Sequence, residues 1–297
     1  MSSNNLRITQ YESLAEVRDL IIDGGDVGSS NVADRSSGYG HNNPGNAGEW
    51  AGGGGINDCA EMLLHGWQDQ DADFHEEVDR LLVTLEDKMN DFIQEQSKTV
   101  LDVSGGWVDV DRFIAGDPEN MYESWMEPEV TKGKALKVLL NIAASNGVSP
   151  EAIKRRGFAV AAAVQAVSTM GFNVEMWVGE STHSTGEWRA RKHCNVEIIK
   201  VKDYFDPLDE EVAMFMCAHP GMLRRICFWL NEQHEAEFRK GQGFGPESGG
   251  YGVPAPFPKE LHEQFDLVIE RGEAFSADEV VDQLLITNDE DRLNEYR

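Results

Sequence analysis

Basic residues are scarce in this chain: 26 Lys and Arg stand against 53 Asp and Glu over 297 residues, a net charge of −27. That shortage excludes sequence-independent binding to DNA, RNA or an anionic membrane, because phosphate contacts need clustered Lys and Arg. It points to a protein partner with a basic surface. Cysteine is scarce too. Cys59, Cys194, Cys217 and Cys227 show no CxxC spacing, and apolar neighbours in AMFMCAHP and RRICFWL mark them as buried reduced thiols. No apolar run is long enough to span a bilayer; the best, Phe158 to Val167, is short and alanine-rich. The opening MSSNNLRITQ lacks the basic and apolar regions of a secretory leader, so the cytoplasm is the expected compartment.

Catalytic signatures are missing as well. The 8 histidines form no HxH, HxxxH or HExxH. Asp69-Gln70-Asp71-Ala72-Asp73 opens like a calcium loop, but Phe74 stands where glycine is needed and Arg80 where a bidentate Glu is needed. Asp71 and Asp73, with Glu76 and Glu77, read instead as an acidic face at a helix entry. Gly241-Gln242-Gly243-Phe244-Gly245 runs into Pro246, and Lys132-Gly133-Lys134 lacks the Ser/Thr of a P-loop, so no nucleotide cofactor is expected. His183, His193 and Cys194 lack a second cysteine pair for zinc. Ser145, His219 and Asp203 lack a GxSxG elbow. The carboxylates Asp102, Asp109, Asp111, Asp117 and Glu119 offer two-metal chemistry, yet the basic groove of a nuclease is missing.

What is present is enough apolar sequence, 40%, for a large core. Residues 1–23 read as a strand and helix. Residues 24–55 hold eleven of the 29 glycines and read as a flexible loop, with Trp50 anchoring its end. Residues 56–130 read as a small α+β region: a helix N-capped by Asp58, an amphipathic helix over 74–93, and a β-hairpin over 100–111 turning at Gly105-Gly106. From 131 the pattern becomes α/β. The continuous apolar run Leu136 to Ile142 suits a strand buried on both faces. Ser149-Pro150 opens a helix to Gly171. Strands follow at 172–178 and 195–202, then helices broken near Pro220, a loop over 240–258, a strand at 265–269 and a helix capped by Ser276. This alternation implies an α/β fold with a mostly parallel sheet flanked by helices.

Gly-Trp-Val-Asp-Val-Asp (106–111), Ala-Gly-Asp-Pro-Glu-Asn-Met (115–121), Arg-Arg-Gly-Phe-Ala-Val (155–160) and Ala-His-Pro-Gly-Met-Leu-Arg-Arg (218–225) together resemble an uncharacterised family of bacteriophage and actinobacterial proteins. The resemblance covers roughly residues 50–285 and implies a phage origin, hence the cytoplasm of an infected bacterium. In architecture the second half resembles von Willebrand A-type domains, where a first strand ends in Asp-x-Ser-x-Ser, binds Mg²⁺ and recruits an acidic partner. Here that register reads Asn141, Ala143 and Ser145, with one carboxylate and one hydroxyl lost, so Mg²⁺ has too few anionic oxygens.

These readings combine into a phage-encoded acidic protein that binds a protein partner without catalysis, with an inhibitor imitating DNA as one form. A metal-dependent hydrolase or nuclease, and a virion structural or assembly component able to self-associate, are the competing readings. The candidate contacts are Trp50, the acidic helix face, the loop after Asn141 with Ser145, the loop after Val178, the loop bearing Tyr251, and the His219-Pro220 break with Arg224 and Arg225. On a helix starting near Gly221, one arginine would face solvent and the other reach a carboxylate such as Asp203 or Asp206. His219 would bond a backbone carbonyl.

Overall fold

The structure, a computed structural model, describes residues 6–23, 50–53, 55–67, 73–89, 93–130, 135–170, 172–184, 193–235, 244–245, 250–271 and 276–285. The expected flexible loop 24–55 lies outside these residues except at its end, as do 240–243 and 246–249 of the second loop and Asp71 of the acidic face.

In chain order the elements are β1 (Leu6–Tyr11), α1 (Leu14–Asp23), α2 (Ile56–His65), α3 (Asp73–Met89), β2 (Ile93–Asp102), β3 (Trp107–Val108), α4 (Val110–Ile114) and β4 (Met121–Val130). Then come β5 (Leu136–Asn141), α5 (Pro150–Thr169), β6 (Val174–His183), β7 (Cys194–Lys202), α6 (Glu210–Ala218), a π-helical turn (Met222–Cys227) and α7 (Phe228–Gln233). The chain continues through β8 (Phe244–Gly245), β9 (Gly250–Tyr251), β10 (Val253–Pro254), α8 (Lys259–His262) and β11 (Leu267–Ile269), followed by α9 at 277–285. Residues 83–133 form one compact unit and the remainder another.

The larger unit is built on a sheet of order β1-β7-β6-β5-β11, with β10 pairing the far end of β6. The pairings β1–β7, β5–β6 and β5–β11 are parallel; β6–β7 and β6–β10 are antiparallel. The fold is therefore α/β with a mostly parallel sheet, as the alternation of strands and helices implied. One face packs Leu139, Trp177, Cys194, Val196 and Ile198 against Phe257, Leu261 and Phe265. On the helical side α5 packs on α6, and α2 packs on α6 and on the π-helical turn. All four cysteines are buried and free, and burial pushes the Cys59 and Cys217 thiols up to about 12, which makes them inert. Among the described residues, no helix is long and apolar enough to cross a membrane.

Helix starts follow local chemistry. Ser149 caps α5, its Oγ accepting from the Ala152 amide, and Pro150 occupies the first turn, where a missing N–H costs nothing. Asp58 is not the cap of α2. Gly55 is, and the Asp58 carboxylate accepts from the Gly55 amide from the third helical position, the other half of a capping box. The N-terminal strand, set apart in the sequence reading, pairs along its whole length with β7 and so completes the large sheet.

The smaller unit corrects the expected hairpin. Strand β4 lies between β2 and β3, so β2 and β3 are not partners. Gly105 and Gly106 serve a close approach: the Gly106 amide donates to the Tyr122 carbonyl at 2.8 Å, and a Cβ on Gly105 would lie 2.2 Å from that same oxygen. The glycines thus meet β4 where a side chain would clash.

Gly157 plays the equivalent part in the helical layer, because a Cβ there would lie 2.0 Å from the Cys217 carbonyl of α6. Gly157→Ala should therefore cost about 1–3 kcal/mol through overpacking, despite the gain of about 1 kcal/mol in helix propensity. Urea unfolding at constant m-value measures it. A variant as stable as the wild type would mean that the two helices separate without cost.

Candidate functional site at the carboxyl edge of the sheet

Strand β5 ends at Asn141, and residues 142–148 cross its carboxyl edge to reach α5. Open α/β sheets bind ligands at this edge. The Asn141 side chain is engaged from both ends: Nδ2 donates to the Ala255 carbonyl at 3.0 Å and to Glu270 at 2.9 Å, and Oδ1 accepts from the Ala143 amide at 3.1 Å. The Arg156 guanidinium donates to the carbonyls of Asn141 and Glu270 at 2.7 and 2.8 Å. With Asn141 so used, Ala143 offering only a methyl and a guanidinium fixed beneath the edge, these residues do not fit a Mg²⁺ site.

A staple holds the loop from the helical side. Trp50 Nε1 donates to the Asn146 carbonyl at 3.0 Å. Arg224 donates to the Trp50 and Val148 carbonyls, and its guanidinium carbon sits 4.2 Å from the centre of the Trp50 ring. Ser145, Asn146 and Gly147 are left exposed on a tethered backbone. This corrects the reading of the arginine pair: both Arg224 and Arg225 are buried, and Arg224 binds carbonyls rather than Asp203 or Asp206. The physical reason is that residues 221–227 are buried throughout, packed against α2, α6 and β6, so neither arginine meets solvent.

His219 ends α6, and its Nδ1 accepts from the Gly221 amide at 3.0 Å. Burial, with Lys154 nearby, pushes it down to about 4, so it is neutral. The Ser145–His219–Asp203 grouping does not assemble. Asp203 follows β7, which runs antiparallel to β6, and so lies at the opposite edge of the sheet from Ser145.

Two cavities flank the loop. One, of about 150 Å³, lies between residues 142–148, the start of α5, Cys217 and Arg271. The other, of about 240 Å³, is bounded by Ala143 to Asn146, Phe228 and Tyr251 to Pro254, and reaches Glu180 and Thr182. Phe228 and Tyr251 stack face to face with centroids 3.8 Å apart and planes 4° from parallel.

Beneath the second cavity lies a buried polar network that the sequence did not announce. Glu180 and Glu197 are direct cross-strand partners on β6 and β7, and they are 1% and 0% exposed. Asn231 of α7 donates to Glu180 and accepts from Asn195 at 2.6 Å, while His234 Nε2 lies 2.6 Å from Glu197. Tyr251 donates its hydroxyl to the buried Glu232. Burial, then the facing charge of Glu197, pushes the Glu180 carboxyl up to about 8, and the Asn231 bond offsets only part of that. Such a group can hold or release a proton near neutrality.

The remaining sequence candidates have plainer places. Glu76 is exposed on α3; Glu77 pairs with Arg80, which also reaches Asp278. Asp73 begins α3. Asp109 caps α4 and accepts from the Tyr122 hydroxyl, and Asp117 pairs with Arg112, so these acids serve as caps and ion pairs. His183 and Cys194 lie opposite one another on β6 and β7. Among the described residues, no group of three or more His, Cys, Asp or Glu is arranged to hold a metal.

A mostly parallel sheet flanked by helices, with a tethered, exposed loop and two cavities at its carboxyl edge, defines an α/β fold. The chain belongs to the DUF7192 family, a domain of unknown function matched over residues 2–288, a span that holds the whole smaller unit and nearly all of the larger one. No curated protein and no solved structure matches it.

Proposed function

We propose that this is a phage-encoded, von Willebrand A-like domain that binds a basic protein partner without catalysis, through the carboxyl edge of its sheet. The observation that carries the reading is the loop 142–148. Its backbone is tied at Asn146 and Val148 to the Trp50–Arg224 staple, while Ser145, Asn146 and Gly147 stay exposed. An ordered, solvent-facing loop of this kind loses little freedom on binding. The likeness to von Willebrand A-type domains draws support from the order β7-β6-β5-β11 with β7 reversed. The net charge of −27 favours a basic partner and, in one form of the reading, an inhibitor that imitates nucleic acid.

Ser145→Arg tests it by adding bulk and positive charge to the exposed loop. Captures from host lysate at low and moderate salt should yield a stoichiometric basic partner with the wild type, weakened as salt rises. The variant should lose at least tenfold in affinity while its stability changes by no more than about 0.5 kcal/mol. Undiminished capture by the variant would remove this edge as the contact.

A further inference from the structure

We propose that the larger cavity, over Glu180 and Thr182, receives an arginine side chain of the protein partner. The proposal deepens the binding reading and rests on it. Glu180 and Thr182 stand two residues apart on β6 and so share a face of the sheet. Both line the cavity. Thr182 is 4% exposed, and its Oγ1 has no hydrogen-bond partner among the described residues, a costly state for a buried hydroxyl unless a ligand supplies the donor. One oxygen of Glu180 is taken by Asn231. Among the described residues no Lys, Arg or His lines the cavity, and the buried imidazole of His234 is committed to Glu197. Above pH 8, where Glu180 ionises, the site therefore offers acceptors and negative charge with no cation among the described residues that line it.

The shape selects among donors. Phe228 and Tyr251, stacked on one another, border the cavity beside the acceptors. A guanidinium is planar and carries five N–H donors in a rigid fork, so one group can meet the carboxyl and the Thr182 hydroxyl together. A lysine ammonium is a compact, strongly hydrated point charge and cannot present that planar fork. A divalent cation would need more anionic oxygens than one carboxylate supplies. An anion would meet Glu180 and find no counter-charge.

The test titrates the full chain at pH 8.5 with N-acetyl-Gly-Arg-Gly-amide, its lysine counterpart and free arginine. The variants are Glu180→Gln, which keeps the carbonyl that Asn231 needs, and Thr182→Val. Saturable binding of the arginine peptide is expected, at least tenfold tighter than the lysine peptide or free arginine. Glu180→Gln should weaken it at least tenfold and Thr182→Val a few-fold, with melting temperatures no lower than the wild type for the first. Equal binding by Glu180→Gln, or equal binding of the lysine peptide, would overturn the pocket assignment. Free arginine binding as tightly as the peptide would overturn the protein source in favour of a small molecule. If no peptide binds while partner capture still depends on Ser145, the arginine pocket fails and the binding edge stands; if capture is also indifferent to Ser145, the edge fails as well.

Discussion

A Glu180→Gln variant is expected to be more stable than the wild type at pH 9, by up to about 5 kcal/mol, and to lose that advantage in acid. The folded carboxyl sits at about 8 against an ordinary value of 4.5. Between those values the native state holds a proton that the unfolded chain releases. Stability from this group is fully present below pH 4.5 and falls as pH rises through 8, at about 1.4 kcal/mol per unit. Glutamine never pays the cost of ionising inside the protein, so the difference between variant and wild type opens across that window. The groups facing Glu180 are Glu197 from β7, Asn231 from α7 and Cys227 from the π-helical turn. None of these is cationic, so nothing in the shell reverses the sign. Urea unfolding of both proteins at pH 4.5, 6, 7.5 and 9 measures it. A difference that stays flat with pH would show that Glu180 titrates as an ordinary glutamate.

The same substitution is expected to weaken arginine binding at least tenfold, and the two results together carry more than either alone. A purely structural residue loses function by losing stability. A residue whose replacement stabilises the fold and removes a ligand is kept for the ligand, the usual stability–function conflict at binding sites. Thr182 follows the same logic on a smaller scale: valine removes an unpartnered buried hydroxyl, which favours the fold, and removes an acceptor from the cavity.

The sheet was largely legible because its strands are written in their own composition. Leu136 to Leu140 is apolar apart from Lys137 and became the buried β5, and Ser149-Pro150 marked the start of α5 by a mechanism that needs no tertiary information. The polar network was illegible for the opposite reason. Glu180 and Glu197 are ordinary glutamates in the sequence; they become a carboxylate pair only through the β6–β7 register, and they are sealed by Asn231 and His234 from a later helix. One signal was available: a Glu inside each of two otherwise buried strands, which is uncommon without a partner. The misread hairpin has a similar cause. Gly105-Gly106 has the look of a turn, but the strand that pairs with β3 begins at Met121, beyond α4. The role of Arg224 depends on Trp50 and Val148, one of them 174 residues away.

Arg224→Met is expected to be the most damaging single change, costing about 3–5 kcal/mol. Arg224 is 2% exposed, and burial pushes it down to about 10, still charged at neutral pH, with Glu151 opposing the shift. Its fork satisfies the carbonyls of Trp50 and Val148 while its face lies on the Trp50 ring. Methionine fills much of the volume but donates nothing. Two carbonyls then lose their donor, each at about 1–3 kcal/mol where water cannot replace it. The loss is local in origin and functional in consequence, because those carbonyls hold Trp50 and the end of the 142–148 loop against the helical layer. Partner capture should therefore fall along with stability. Arg224→Lys separates charge from geometry. A single ammonium keeps the charge, but it cannot reproduce the fork or the ring stacking, so it should recover only part of the stability. Full recovery by lysine would mean that charge alone holds the loop. A cost below about 1 kcal/mol for methionine would mean that the staple is not what orders this edge.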